Sequence, residues 1–146
     1  MRYLYACMAL GLALAIGLDL TWFPDHPQFP DERRFLAEAE AWARLRQFRT
    51  WDDRAWEMPL ASMWFYILGG KMLTIRLAQA FLVPAQAWMV YDLSKRLFGQ
   101  RSGKIAGCVT ALYPFFLFYQ GLALSETLFT TLLLGSMCAL YRWVPK

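Results

Sequence analysis

Four apolar runs of nearly bilayer-spanning length place the strongest constraint on how this chain can fold. They cover about residues 3–20, 73–94, 105–124 and 127–142. A transmembrane helix needs about 20 predominantly apolar residues. Within a bilayer, only helices and closed barrels satisfy every backbone polar group. The runs therefore predict an all-α integral membrane protein with about four transmembrane helices.

The composition agrees with a membrane location. Hydrophobic residues make up 58% of the chain and charged residues only 18%, a balance unlike that of an ordinary soluble domain. The formal net charge is +4, but the basic residues flank the apolar runs and form no block of like charge. We therefore expect membrane lipids around the chain and no nucleic-acid partner. The three cysteines lack the paired spacing of a disulfide or metal framework.

The first apolar run has two interpretations. Ala13-Leu14-Ala15 is similar to the cleavage site of a signal peptide. However, apolar residues continue beyond that site, and the only basic residue before the run is Arg2. We interpret the run as a membrane anchor whose N-terminus is cytoplasmic.

The basic loop at residues 95–104 determines the predicted orientation. It carries Lys95, Arg96, Arg101 and Lys104, and such loops remain on the cytoplasmic side. Residues 21–72 then form a large first extracytoplasmic loop. Within it, the apolar stretch 59–70 is too short to cross the bilayer, so we predict an interfacial or re-entrant segment. If that stretch crossed the membrane, the most basic loop would lie outside.

The stretch "FPDERRFLAEAEAW" predicts an amphipathic juxtamembrane helix within the outer loop, at about residues 31–48. Phe35, Ala39 and Trp42 follow one another at i, i+4 and i+7, which places them on one apolar face. Glu38 is among the residues that add charge to the helix. The pattern is typical of a helix that lies at a membrane surface.

Two acidic residues at predicted helix starts are candidates for chemistry. Asp31 begins the surface helix, where aspartate is a preferred N-cap, so a structural role is the alternative. Glu126 lies between two apolar runs, where an ionisable group is unfavourable unless it is paired or used. It also has a structural alternative, as part of an N-capping turn or as a snorkelling side chain. The predicted topology places both residues on the outer face.

Two basic residues precede or begin the second long run. Arg76 lies about one turn into it, and Lys71 comes shortly before. A snorkelling arginine is the ordinary interpretation at such a position. The alternative is a phosphate-binding arginine, since the planar guanidinium matches phosphate geometry.

Taken together, these motifs resemble the N-terminal part of polytopic GT-C glycosyltransferases. The similarity includes protein O-mannosyltransferases, the bacterial aminoarabinose transferase and lipopolysaccharide-core transferases. It is carried by "FPDERRFLAEAEAW", by the loop "RLFGQR" and by "YPFFLFYQGLALSETLFTTLL". Members of that family are several times longer, so we expect this chain to be a fragment, a truncated gene product or one part of a split enzyme. If the chain is one part of a split enzyme, we expect a second chain that completes the fold as its partner.

The resemblance implies transfer of a sugar from a polyprenyl-phosphate donor to a hydroxyl of a lipid, glycan or protein. The reaction would take place on the extracytoplasmic face of a bacterial cytoplasmic membrane. Asp31 and Glu126 would be the catalytic carboxylates and would also hold a divalent metal ion, Mg²⁺ or Mn²⁺. Glu32 would be a supporting acid, and Arg76 and Lys71 would bind the lipid phosphate.

Two other functions fit parts of the pattern. In a non-catalytic membrane scaffold, or a truncated remnant, the charged residues would only cap and orient helices. In a small four-span transporter, Glu126 or Asp92 would carry a proton. The large polar outer loop is a feature that a compact transporter does not need.

Overall fold

The computed structural model describes residues 1–45 and 58–143. Within these ranges the chain forms helices and no strands, which confirms the all-α prediction. In chain order the helices are α1 (Arg2–Thr21), α2 (Pro30–Leu45), α3 (Met58–Ile67), α4 (Met72–Phe98), α5 (Gln100–Leu112), α6 (Pro114–Gln120) and α7 (Ser125–Trp143). The last part of the predicted surface helix, residues 46–48, lies outside the described residues.

Helix α1 is the one described helix that is long and apolar enough by itself to cross a membrane. Helices α6 and α7 pass the same test when taken together, but they are bent by 119° at the break between them. Helix α4 has 27 residues but includes buried polar side chains, among them Gln79 and Gln86. The number of four transmembrane helices therefore stays a prediction.

Proline divides the predicted run 105–124 into two helices. Helix α5 ends at Leu112, Tyr113 is extended with φ −70° and ψ 118°, and Pro114 begins α6. A proline disfavours helical conformation in the residue before it and is well suited to the first position of a helix. Helix α6 ends at Gln120, so residues 121–124 form a short α6–α7 connection.

Helix α4 is the centre of the bundle, since it packs against α1, α5, α6 and α7. Small residues bring α5 close to it. A Cβ atom added at Gly107 would lie 3.1 Å from the carbonyl oxygen of Ala87 and 3.0 Å from the Cβ of Tyr91. Such close backbone approach is typical of helix packing in membranes, where small residues line the interface.

Helices α2 and α3 form a second core at the N-terminal end of α4. Its buried members are Phe35, Ala39, Phe65, Met72, Ile75 and Ala123. The rings of Phe35 and Phe65 meet edge to face, with 5.7 Å between their centroids. The predicted apolar face of α2 therefore covers protein, namely α3, the start of α4 and the α6–α7 connection. The side chain of Trp42 lies outside the described part.

The inner face of α2 also contains acidic residues. Glu38 is buried, and its carboxylate accepts a hydrogen bond of 2.6 Å from the hydroxyl of Ser62 in α3. Glu38 therefore lies on the side of α2 that packs against α3. Glu32, two turns earlier on the helix, is also buried.

Candidate active site

The carboxylate of Glu32 lies at the junction of three chain segments and is fully buried. Its Oε2 atom accepts hydrogen bonds from the backbone N–H groups of Gln28, at 2.5 Å, and Phe29, at 3.0 Å. Its Oε1 atom accepts a hydrogen bond of 2.7 Å from the backbone N–H of Ala123. A buried carboxylate thus connects the start of α2 to the α6–α7 connection.

The start of α2 explains why Glu32, and not Asp31, faces inward. The helix begins at Pro30, and the carbonyl oxygen of Phe29 accepts the N–H of Arg33 at 3.3 Å. Phe29 is therefore the N-cap, and Glu32 is the third helical residue, which reaches back to the N-cap N–H as in half of a capping box. The interpretation of Asp31 as the N-cap is wrong, because the helix begins one residue earlier than predicted.

Arg76 is the basic member of the same buried region and is only 1% exposed. Its Nη1 atom donates a hydrogen bond of 2.6 Å to the carbonyl oxygen of Pro24, and its guanidinium lies 5.3 Å from the centroid of the Phe23 ring. The acidic groups that attract its charge include Glu32 and Asp19. The Nε and Nη2 atoms of Arg76 are buried without a protein hydrogen-bond partner in the described structure.

Asp19, near the end of α1, is a further acidic residue of this region, and it is not among the predicted site residues. It is buried, and its Oδ1 atom accepts a hydrogen bond of 3.4 Å from the side-chain amide of Gln120 in α6. Within the described ranges, its Oδ2 atom has no hydrogen-bond partner. The signal that would have identified Asp19 is its position at the end of an apolar helix, where an acidic group is rare and usually functional.

The other predicted site residues lie at the surface around this buried region. Asp31 and Glu126 are exposed in the first turns of α2 and α7, and Lys71 is exposed directly before α4. The structure therefore brings Glu32 and Arg76 into one buried region and leaves Asp31, Glu126 and Lys71 outside it. The catalytic and phosphate-binding roles of these residues stay predictions.

The residues were also predicted to hold a divalent metal ion. Across residues 1–45 and 58–143, no group of three or more His, Cys, Asp or Glu side chains is arranged to bind one. Asp31 and Glu126 would offer two carboxylates, and their metal-binding role stays a prediction.

Comparison with known families agrees with this architecture. Residues 58–146 match the model of the dolichyl-phosphate-mannose-protein mannosyltransferase family. The match covers more than half of the chain. The chain belongs to this family. Comparisons with curated proteins and with solved structures give no match.

Membership of the mannosyltransferase family confirms the resemblance to GT-C glycosyltransferases and makes the chain an integral membrane protein of that class. The matched region includes Lys71, Arg76 and Glu126, whereas Asp31 and Glu32 precede it. The hydrogen bond from Ala123 to Glu32 therefore links the matched region to the preceding segment, which carries the predicted catalytic carboxylate Asp31.

Proposed function

We propose that this chain is a membrane glycosyltransferase, or the N-terminal module of one, that transfers a sugar from a polyprenyl-phosphate donor to a hydroxyl acceptor. The family match over residues 58–146 is the observation that carries the proposal. The acceptor hydroxyl belongs to a lipid, a glycan or a protein. The reaction takes place on the extracytoplasmic face of a bacterial cytoplasmic membrane, and the N-terminus and residues 95–104 lie on the cytoplasmic side.

Asp31 is proposed as the general base. Its exposure at the start of α2 leaves its carboxylate accessible to an acceptor, while the neighbouring Glu32 is anchored inside. During transfer, Asp31 takes the proton of the acceptor hydroxyl as the hydroxyl oxygen bonds to the anomeric carbon of the sugar. The bond between that carbon and the phosphate oxygen breaks, and the lipid phosphate leaves with the electron pair.

The leaving phosphate needs positive charge, which Arg76 and Lys71 are proposed to supply. The Nε and Nη2 atoms of Arg76, which have no hydrogen-bond partner among the described residues, form an edge of the guanidinium that suits bidentate binding of a phosphate. Lys71 is exposed five residues earlier, directly before α4, and adds an ammonium group. Glu126, in the first turn of α7, is proposed as the second catalytic carboxylate.

The experiment is a transfer assay with a lipid-linked sugar in reconstituted membranes. It compares these 146 residues alone with a form that carries additional sequence or a complementing chain. Asp31→Asn should lower the transfer rate by about 10²–10⁴-fold, the usual contribution of a general base.

The matched control is Glu40→Gln, which removes an exposed carboxylate further along α2 and should leave the rate nearly unchanged. Glu126→Gln should also reduce transfer. If Asp31→Asn and Glu126→Gln both transferred sugar at the unmodified rate, the scaffold function would replace the proposed one.

A further inference from the structure

The backbone N–H of Ala123 donates its hydrogen bond to a side chain from far earlier in the chain, that of Glu32. We propose that Glu32 is a positioning residue that holds the start of α2, with Asp31, against the α6–α7 connection that leads to Glu126. The expected effect of Glu32 on sugar transfer rests on the proposed function, whereas the link that Glu32 makes between α2 and the α6–α7 connection does not.

The chemistry around Glu32 requires a carboxylate. Three backbone N–H groups, from Gln28, Phe29 and Ala123, all donate to it. An ionised carboxylate is purely an acceptor, and its hydrogen bonds to backbone N–H groups are strengthened by the charge. An amide in its place would turn an NH₂ group toward at least one of these donors.

The α6–α7 connection is held from its other side by α4. The side-chain amide of Gln79 donates a hydrogen bond of 2.9 Å to the carbonyl oxygen of Leu124. Ala123 is completely buried between these two contacts. Glu32 and Gln79 therefore anchor neighbouring residues of the connection, Glu32 from α2 at Ala123 and Gln79 from α4 at Leu124.

The α1–α2 loop is fixed to the same place by independent contacts. Arg76 donates to the carbonyl oxygen of Pro24, and Phe23 packs so closely on Gly121 that a Cβ atom at position 121 would overlap its ring. Loss of Glu32 would therefore release the link between α2 and the connection without removing all contacts of the loop. Because these contacts remain, a variant of Glu32 should show a local change of position and not general unfolding.

Asp31 and Glu32 are neighbours on α2, so anchoring one determines where the other points. Successive helical residues differ by about 100° around the axis, since a turn contains about 3.6 residues. With the Glu32 carboxylate held inside the protein, the Asp31 side chain is directed to the protein surface, where it is exposed. A proposed base must be held at reacting distance, and a displacement of about 1 Å can lower the rate by about 10²-fold.

The test uses Glu32→Gln in the full chain reconstituted in lipid nanodiscs, with hydrogen exchange as the first measurement. We compare amide exchange in two segments, residues 22–30 and 119–126. Exchange should become faster at residues 119–126, because the single oxygen of glutamine stays with the two donors Gln28 and Phe29 and its NH₂ group turns toward the N–H of Ala123. Arg33→Gln is the matched control, since it changes an exposed charge next to Glu32 and should alter neither segment. Unchanged exchange at residues 119–126 in Glu32→Gln would overturn the proposal.

Sugar transfer is the second measurement, made on the form of the protein that shows activity. Glu32→Gln should lower kcat by about 10- to 100-fold as Asp31 moves out of position. The KM values for donor and acceptor should stay within about twofold, because substrate binding is retained. Faster exchange with an unchanged kcat would overturn the positioning role.

Asp31→Asn distinguishes this proposal from the proposed function. It should lower the transfer rate by about 10²–10⁴-fold and leave exchange in both segments unchanged, because its side chain takes no part in the link. Transfer retained by Asp31→Asn would contradict the proposed function, and exchange at residues 119–126 in Glu32→Gln would still decide whether Glu32 holds the connection.

Discussion

Gly11 of α1 lies directly against the backbone of Ala111 in α5, with no room for a methyl group between them. A Cβ atom added at Gly11 would overlap the carbonyl oxygen of Ala111, and both residues are buried. The carbonyl group cannot move away without moving the helix. Close contact at small residues is a main source of packing between helices in membranes, where lipid tails are as apolar as the side chains.

Gly11→Ala should therefore separate α1 from α5 and lower the free energy of unfolding by about 1–3 kcal/mol, as overpacking does. Denaturant titration of the protein in detergent micelles measures the change. Gly17→Ala is the matched control on the same helix, since a Cβ atom there would have no neighbour within 4 Å. The control should be neutral or stabilising by up to about 1 kcal/mol, from higher helix propensity. Equal effects of the two variants would contradict the close contact.

Gln86 connects α4 to α7 from within the bundle. Its side-chain amide donates to the carbonyl oxygen of Thr127, at 3.1 Å, and to the hydroxyl of Thr131, at 2.8 Å. Gln86→Leu should lower the free energy of unfolding by about 1 kcal/mol, the scale of hydrogen bonds between helices in membranes. The same titration tests this, with Thr130→Val as a neighbouring control in α7. A stability gain in Gln86→Leu would show that packing outweighs these bonds.

The predicted orientation can be tested with a thiol reagent that does not cross the membrane. Single cysteines at His26 and Arg101, both exposed, should react from opposite sides of intact vesicles. The chain already contains Cys7, Cys108 and Cys138, so the chain without added cysteines gives the background labelling. Labelling of both positions from the same side would contradict the predicted topology.

Helices with long apolar runs were predictable from local sequence. The first run was predicted at about residues 3–20 and α1 covers Arg2–Thr21, while the last was predicted at about 127–142 and α7 covers Ser125–Trp143. Each of these two helices depends on the apolar character of neighbouring residues, so composition and spacing are sufficient to locate the helix. The break before Pro114 is equally local, because proline acts on the residue directly before it.

The sequence by itself determined the helical architecture and the glycosyltransferase family, since both depend on patterns within continuous segments. Only the tertiary structure decided that Glu32 is buried and that Asp31 is exposed beside it. That choice depends on the start of α2 at Pro30 and on the N–H of Ala123, which local periodicity does not place near Glu32. A buried carboxylate is stable only where donors from several segments meet it, and folding of the whole chain brings those donors together.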